Sequence, residues 1–256
     1  MMRLAVESGV LFQRALREIP RVPTRIAFPV IGPVMQLVLL TAVLSSVTQL
    51  PGYPARSSVQ FMTAGVLALT VLAGAGGAGF QMVQDIDTGF FDKLRVAPIR
   101  RSAIVLGLLM TDAVRLAVQS LVVILLALLL GAHIATGVPG LIGMLMLAAI
   151  FGAAWSGISL NVALRTRNPE VTAAAGVLTF PLYFGSTAFM PYDLLPTWLQ
   201  WFNLFNPVNY LILADRALMS KHFDWHAIGG ALLASAIVGA ITLPLATRAF
   251  RRAVSG

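Results

Sequence analysis

The chain contains no cysteine in its 256 residues, which excludes disulfides, thiolate metal sites and cysteine nucleophiles. Charge is scarce as well. Only 11% of the residues are charged and 58% are hydrophobic, whereas a soluble domain carries ~25% charged residues. A soluble core cannot absorb that composition. Lysine is almost missing: Lys93 and Lys221 are the only two among 18 basic residues, a bias that a GC-rich bacterial genome produces. No Gly-Lys dipeptide occurs, so a Walker A phosphate loop is ruled out. There is no His-Glu-x-x-His and no Gly-x-Ser-x-Gly elbow, and His133, His222 and His226 show no ligand spacing to one another. No apolar stretch carries the pair of acids or the acid–histidine chain of a proton relay. The expectation is a chain with no catalytic, metal or cofactor-binding residues, whose energy source sits on another chain.

What the sequence does have is six long apolar stretches, with a mean hydropathy of +0.85 over the chain. A hydrocarbon core needs ~20 helical residues to cross. The stretches run from Ile26 to Ser46, Val59 to Val83, Ala103 to Gly131, Pro139 to Leu164, Val171 to Met190 and His226 to Phe250. Basic residues alternate by link. One set of segments holds Arg3, Arg14, Arg17, Arg21 and Arg25, then Lys93, Arg95, Arg100 and Arg101, then Arg165 and Arg167, then Arg248, Arg251 and Arg252; the other set holds Arg56, Arg216 and Lys221. Fourteen against three predicts six spans with both termini in the cytoplasm of a bacterial plasma membrane. The same bias accounts for the net charge of +8, with attraction to anionic lipid heads as a second contribution, so nucleic acid is not needed to explain it. No cleavable signal is expected: the segment before the first stretch is too long and too mixed in charge for one.

Four pieces outside the spans have character. Residues 3–19 read as an amphipathic helix ended by Pro20 and Pro23, lying along the headgroup layer; an ordinary solvated helix is the plainer alternative. Val47 to Ser58, with Pro51, Gly52 and Pro54, is a short exposed turn. Gln84 to Ser102 is the longest inward link. Its acids Asp85, Asp87 and Asp92 surround Gly89, Phe90 and Phe91, and Leu94, Pro98, Arg100 and Arg101 follow. Acids early and cations late suit a short helix, and an exposed Phe90 or Phe91 would make a sticky knob for a soluble partner. Resting on the membrane is the plainer alternative. Pro191 to Trp225 is the one long outward link. Leu194, Leu195, Trp198, Leu199, Trp201, Phe202, Leu204 and Phe205 crowd it, more apolar surface than a loop in water carries. It is expected to fold back into the outer leaflet as re-entrant or interfacial helices.

Within the spans, Asp112 and Arg115 stand three residues apart and share a helix face. They form either a buried ion pair lining a polar path or a structural pair with Arg115 snorkelling to the interface. Gly65, Gly74, Gly76, Gly77 and Gly79 in the second span permit close helix approach. Asn161, Thr179, Ser186 and Thr187 either line a weakly polar cavity or bond neighbouring backbone.

Two motifs in matching topological slots carry a family resemblance. The run Asp85-x-Asp87-x-Gly89-Phe90-Phe91-Asp92-Lys93-Leu94-Arg95-Val96-Ala97-Pro98-Ile99-Arg100-Arg101 resembles the link after the second span in type-2 ATP-binding-cassette permeases, nearest to those for daunorubicin-like drugs. After the fifth span, Phe189-Met190-Pro191, Leu195-Pro196, Trp198-Leu199, Asn206-Pro207, Tyr210 and Arg216 resemble the family's extracellular re-entrant region.

The resemblance implies an all-α, six-span permease occupying residues 1–256 as one domain. It has an interfacial helix over 1–25, a coupling segment over 84–102 and a re-entrant segment over 191–225. It implies a dimer with the same chain or a paralogue, and two separately encoded soluble ATPase subunits that hold the ATP and Mg²⁺. Asp85, Asp87, Gly89, Phe90, Phe91, Asp92, Leu94, Pro98 and Arg101 would meet the ATPases. Pro191, Trp198, Asn206, Pro207, Tyr210 and Arg216 would close the path outside. The cargo would be a drug, an antibiotic or a lipid-like amphipathic compound. This chain departs in carrying Asp where many relatives have Glu in the coupling link. A competing reading from the residues alone is a membrane-embedded lipid-modifying enzyme with Mg²⁺ held by Asp85, Asp87 and Asp92.

Overall fold

The computed structural model describes residues 24–44, 58–92, 101–220 and 223–255. The expected interfacial helix over 3–19, the turn before Ser58, and Leu94 and Pro98 of the expected coupling segment lie outside these residues. The described residues form helices joined by turns, without strands. In chain order they are α1 (Thr24–Leu44), α2 (Ser58–Gly74), α3 (Gly77–Asp87), α4 (Arg101–Leu129), α5 (Gly137–Thr166), α6 (Pro169–Val177) and α7 (Phe180–Phe184). A 3-10 turn (Tyr192–Leu194), α8 (Thr197–Phe205), α9 (Pro207–Ser220) and α10 (Trp225–Ser255) follow.

Among the described residues, four helical stretches are long and apolar enough to cross a membrane: α2 with α3 (Ser58–Asp87), α4, α5 and α10 (Trp225–Val254). Helix α1 contributes a shorter apolar run, Val30–Val43. The pieces differ in how far the rest of the chain encloses them. The α2–α3 stretch is 78% buried and α10 only 28%. The glycine-rich second span is therefore the hub, and α10 is an outer wall. Small residues explain the difference, because association in lipid is driven by close packing rather than by the hydrophobic effect. A Cβ on Gly65 would lie 2.9 Å from the Ala188 carbonyl oxygen, and one on Gly79 would lie 2.7 Å from that of Ser159. Helices α5 and α10 use the same device: a Cβ on Gly157 would lie 2.7 Å from Thr242, whose hydroxyl donates to the Ala154 carbonyl at 2.8 Å.

Two apolar clusters result. The larger joins α1, α2, α4, α5 and α9 around Leu37, Met62, Leu67, Leu116, Phe151 and Leu211. The smaller joins α3, α4, α5 and α10 around Met82, Val105, Leu160 and Phe250.

The fifth apolar stretch departs from expectation. In place of one helix from Val171 to Met190, α6 and α7 are separated at Leu178–Thr179, and residues 185–190 turn without helix. Pro181 stands in the first turn of α7, where its missing N–H breaks the run from α6. The Thr179 hydroxyl donates back to the Gly176 carbonyl at 2.6 Å. Helix α6 itself starts cleanly, on Asn168, whose side chain accepts from the N–H groups of Glu170 and Val171 at 2.7 and 3.1 Å, with Pro169 in the first helical turn.

Candidate functional site

The second span is interrupted in the middle of its glycine run. Residues 75 and 76 form a turn between α2 and α3. In an unbroken helix the Ala78 N–H would bond the Gly74 carbonyl. Here both groups are claimed from α4. Ala78 N–H donates to Asp112 Oδ2 at 2.7 Å, and Arg115 Nη2 donates to the Gly74 carbonyl. The two side chains pair with each other at 2.8 Å. A third bond comes from α5, where Ser159 Oγ donates to the Ala75 carbonyl at 2.9 Å. Irregular backbone at membrane depth is tolerated only where protein or a water-lined cavity covers it, and these three side chains supply the cover. A Cβ on Gly77 would overlap the Arg115 guanidinium, so a side chain there would displace Arg115 from the Gly74 carbonyl.

Asp112 and Arg115 thus occupy the junction between the two apolar clusters. Asp112 is 2% exposed, and the Arg115 side chain only 14%. Arg115 spends its guanidinium on the open Gly74 carbonyl and on Asp112.

Beside the break lies an apolar cavity of about 260 Å³. Leu72, Ala75, Gly76 and Phe80 of the second span, Trp155, Ile158 and Ser159 of α5, and Thr172, Gly176, Phe180 and Tyr183 of the α6–α7 segment line it. Its few polar groups are hydroxyls. The Tyr183 hydroxyl is fixed by Gln36 Nε2 of α1 at 3.1 Å. Thr179 lines the cavity too. Ser186 and Thr187 do not: both are buried in protein, with Ser186 donating to the Tyr183 carbonyl at 2.5 Å and Thr187 to Asn209 Oδ1 at 2.6 Å.

A second repair closes the frayed end of α7. Asn203 donates to the Gly185 carbonyl at 2.8 Å and Asn206 to the Leu182 carbonyl at 2.7 Å. Asn209 accepts from the Thr187 N–H at 3.3 Å. Arg216 donates to the Thr187 carbonyl at 2.8 Å and lies over the Phe61 ring of α2, 3.9 Å from its centroid. Of the residues singled out in sequence here, Asn206 and Arg216 belong to this repair, and Pro207 starts α9. The Tyr210 hydroxyl donates to the Leu204 carbonyl at 2.8 Å. Pro191 leads into the 3-10 turn, and Trp198 projects outward, 68% exposed. Asn203 and Asn209 escaped the sequence reading. Their signal was the three-residue spacing with Asn206, which places all three toward one side of the α8–α9 corner.

In the link that begins at Gln84, α3 ends at Asp87. Gly89 follows at φ 71°, in the left-handed region, and its N–H donates to the Ile86 carbonyl at 3.1 Å. Helical geometry returns over residues 90–92, with Asp87, Asp92 and Arg101 at the surface and Asp85 and Phe90 half-buried. Phe91 does not project. It is 4% exposed and meets Phe250 of α10 edge-on, with centroids 5.5 Å apart. Adjacent helical residues point ~100° apart, so Phe91 takes the Phe250 contact while Phe90, half-buried, packs at the margin of the same cluster. The described residues hold no group of three or more His, Asp or Glu close enough to share a metal ion.

Comparison with known proteins agrees with this architecture. The chain is 29% identical over 194 residues to a daunorubicin resistance ABC transporter permease protein of Streptomyces coeruleorubidus, covering 75% of this chain and 69% of that one. It is 28% identical over 224 residues to a putative transport permease of Cyanophora paradoxa, covering 86% and 76%. A probable doxorubicin resistance ABC transporter permease protein of Mycobacterium tuberculosis is 23% identical over 209 residues, covering 81% and 72%. The model of the ABC-2 type transporter family matches residues 7–219, and the chain is accordingly a membrane-embedded member of the ABC-2 type transporter family.

Proposed function

We propose that this chain is the permease of an ATP-driven exporter, moving a hydrophobic or amphipathic compound outward with energy from separate ATPase subunits. It crosses the membrane six times, with α1 first and α6–α7 fifth, and keeps both termini in the cytoplasm. Two permease protomers and two ATPases make the working unit. The observation that carries this reading is the interrupted second span beside an apolar cavity. Helix discontinuities at mid-depth, held by side chains from neighbouring helices, are where membrane transporters place their paths, and a mostly apolar pocket with a few hydroxyls suits an amphipathic cargo better than an ion.

In this scheme the ATPases grip the coupling segment at Asp85, Asp87, Gly89, Phe90, Asp92 and Arg101. Phe91 serves the grip from behind, by pinning the segment to α10. Closure of the ATPases drives α3, and the turn at residues 75 and 76 lets α3 swing relative to α2. The Asn206–Pro207 corner, with Trp198, Tyr210 and Arg216, closes the outer end. The enzyme alternative loses ground because, among the described residues, Asp85, Asp87 and Asp92 do not converge with further acids or histidines.

The test is co-expression with a candidate soluble ABC ATPase subunit, followed by co-purification and dye efflux from inverted vesicles. The intact chain brings the ATPase down and gives ATP-dependent movement of a planar amphipathic dye. Phe90→Asp releases the ATPase with the fold retained, whereas Phe91→Asp damages the fold itself. Mg²⁺-dependent turnover of lipid by the purified chain alone would overturn the reading.

A further inference from the structure

Helices α5 and α10 end side by side, and between their last turns lies a cavity of about 480 Å³. Its walls carry four arginines, Arg165 and Arg167 from the end of α5 and Arg248 and Arg252 from α10, with no carboxylate among the described lining residues. All four are at the surface. Cations at helix C-termini have an ordinary explanation, the macrodipole, but its size is limited. Two helix ends supply about half a negative charge each, roughly one in total against four guanidiniums. Arg252 also serves a contact within the chain, and the excess persists without it.

Two further features single the cavity out. Arg167 is the one non-glycine residue at positive φ among the described residues, at 51°. It holds the position after a helix where glycine is the usual occupant, and a side chain there costs about 1 kcal/mol of backbone strain. What it gains is reach: its Nη2 lies 3.5 Å from the Ala253 carbonyl of α10, which closes the cavity on that side. The second feature is a stripe. Ile241, Leu245, Arg248 and Arg252 follow one another at helical spacing on one face of α10. Ile241 is 57% and Leu245 38% exposed, so an outward apolar track runs directly into the basic end.

From this arrangement we infer that the cavity binds the phosphate of an anionic membrane phospholipid, with an acyl chain along Ile241 and Leu245. Planar guanidiniums pair phosphate oxygens bidentately, and basic pockets between membrane helices suit anionic headgroups. A soluble phosphate would use the arginines but not the apolar track, so the lipid is the occupant the whole surface fits. The inference stands apart from transport and holds whichever side of the membrane this end faces.

The experiment is native mass spectrometry of the full chain in detergent, titrated with phosphatidylglycerol, with phosphatidylcholine and with inorganic phosphate. Phosphatidylglycerol binds at least about tenfold tighter than phosphatidylcholine, and Arg165→Gln/Arg248→Gln removes that preference. Arg251→Gln, which deletes an adjacent surface charge outside the cavity, leaves it intact. Should the glutamine pair fail to insert, Arg165→Lys/Arg248→Lys keeps every charge and still weakens lipid binding several-fold through lost bidentate contacts, while Arg251→Lys does not. Equal binding of the two lipids, or an equal loss in the Arg251 variants, overturns the inference. So does ready displacement of the lipid by inorganic phosphate, which would make this an oxyanion site.

Discussion

The second span and the end of the fifth apolar stretch are both broken, and the chain mends them with opposite chemistry. At the first break one buried ion pair does most of the work: Asp112 takes the orphan Ala78 N–H and Arg115 the orphan Gly74 carbonyl. At the second, three neutral amides and one arginine each take a single backbone group. The first repair concentrates charge at one point inside the most enclosed part of the molecule. The second spreads weaker bonds along the α8–α9 corner. A concentrated charged repair is all-or-none, because losing either partner strands the other ion in a dry site, whereas a distributed repair degrades by degrees. The two ends of one helix are thereby given different stiffness. Through Gly65 α2 packs on Ala188 of the second break, and at Gly74 it ends on the first.

The largest expected effect tests the concentrated repair. Removing one member of a buried pair costs ~3–5 kcal/mol, so Asp112→Leu and Arg115→Leu each lower thermal stability in detergent sharply and abolish export. The double variant Asp112→Leu/Arg115→Met is less damaged than either single, because no charge is stranded. The swap Asp112→Arg/Arg115→Asp is the sharpest measurement. It preserves a pair three residues apart, yet sets a cation against the Ala78 N–H and a carboxylate against the Gly74 carbonyl. It therefore fails as the single variants do. A functional swap would mean that the pair attracts only itself and that the break is held by something else.

A smaller effect asks whether close approach at the first break matters. Replacing a helical glycine by alanine ordinarily stabilises by ~1 kcal/mol. At Gly79 the new Cβ would stand 2.7 Å from the Ser159 carbonyl oxygen and from Thr172 Cγ2. Overpacking of that kind costs ~1–3 kcal/mol, so the sign reverses. Gly79→Ala lowers stability and displaces α3 from α5, loosening the Ser159 bond to Ala75. Gly176→Ala at the α6–α7 junction, where no atom lies within 4 Å of the added Cβ, has no such cost. A thermal melt of the two variants side by side reads the contrast.

These breaks also mark where sequence reasoning reached its limit. The membrane class followed from composition, and the glycine run announced tight packing, because both depend on residue type alone. Asp112 and Arg115 were visible as a pair, since three residues apart is a property of one helix. Their true partners are backbone groups on another helix, and a backbone N–H or carbonyl leaves no mark in an amino-acid alphabet. Phe90 and Phe91 were visible as a knob but not as a choice between two directions, which depends on where α10 lies. The fifth stretch read as one helix because its apolarity is continuous from Val171 to Phe189. Pro181 was the available sign of the break between α6 and α7, but proline is common in membrane helices and the sign is weak.

The smallest effect belongs to the distributed repair. Asn209 Oδ1 accepts from both the N–H and the hydroxyl of Thr187, and Asn209 is 3% exposed, so Asn209→Ala leaves two donors without their acceptor. Hydrogen bonds between membrane helices are worth about 0.6–2 kcal/mol, and Arg216 still holds the Thr187 carbonyl from α9. The variant accordingly folds, inserts and melts a few degrees lower, while export falls only in part. Asn203→Ala and Asn206→Ala behave alike, and the triple variant loses at least the sum of the three, because the bonds that still hold the turn in each single variant are then gone together. Asn209→Asp sharpens the result: its carboxylate keeps the acceptor for Thr187 but brings a charge into a buried corner, so it is worse than alanine. If Asn209→Ala alone were as damaging as Arg115→Leu, the corner would be a second concentrated latch, and the contrast in stiffness between the two ends of α2 would disappear.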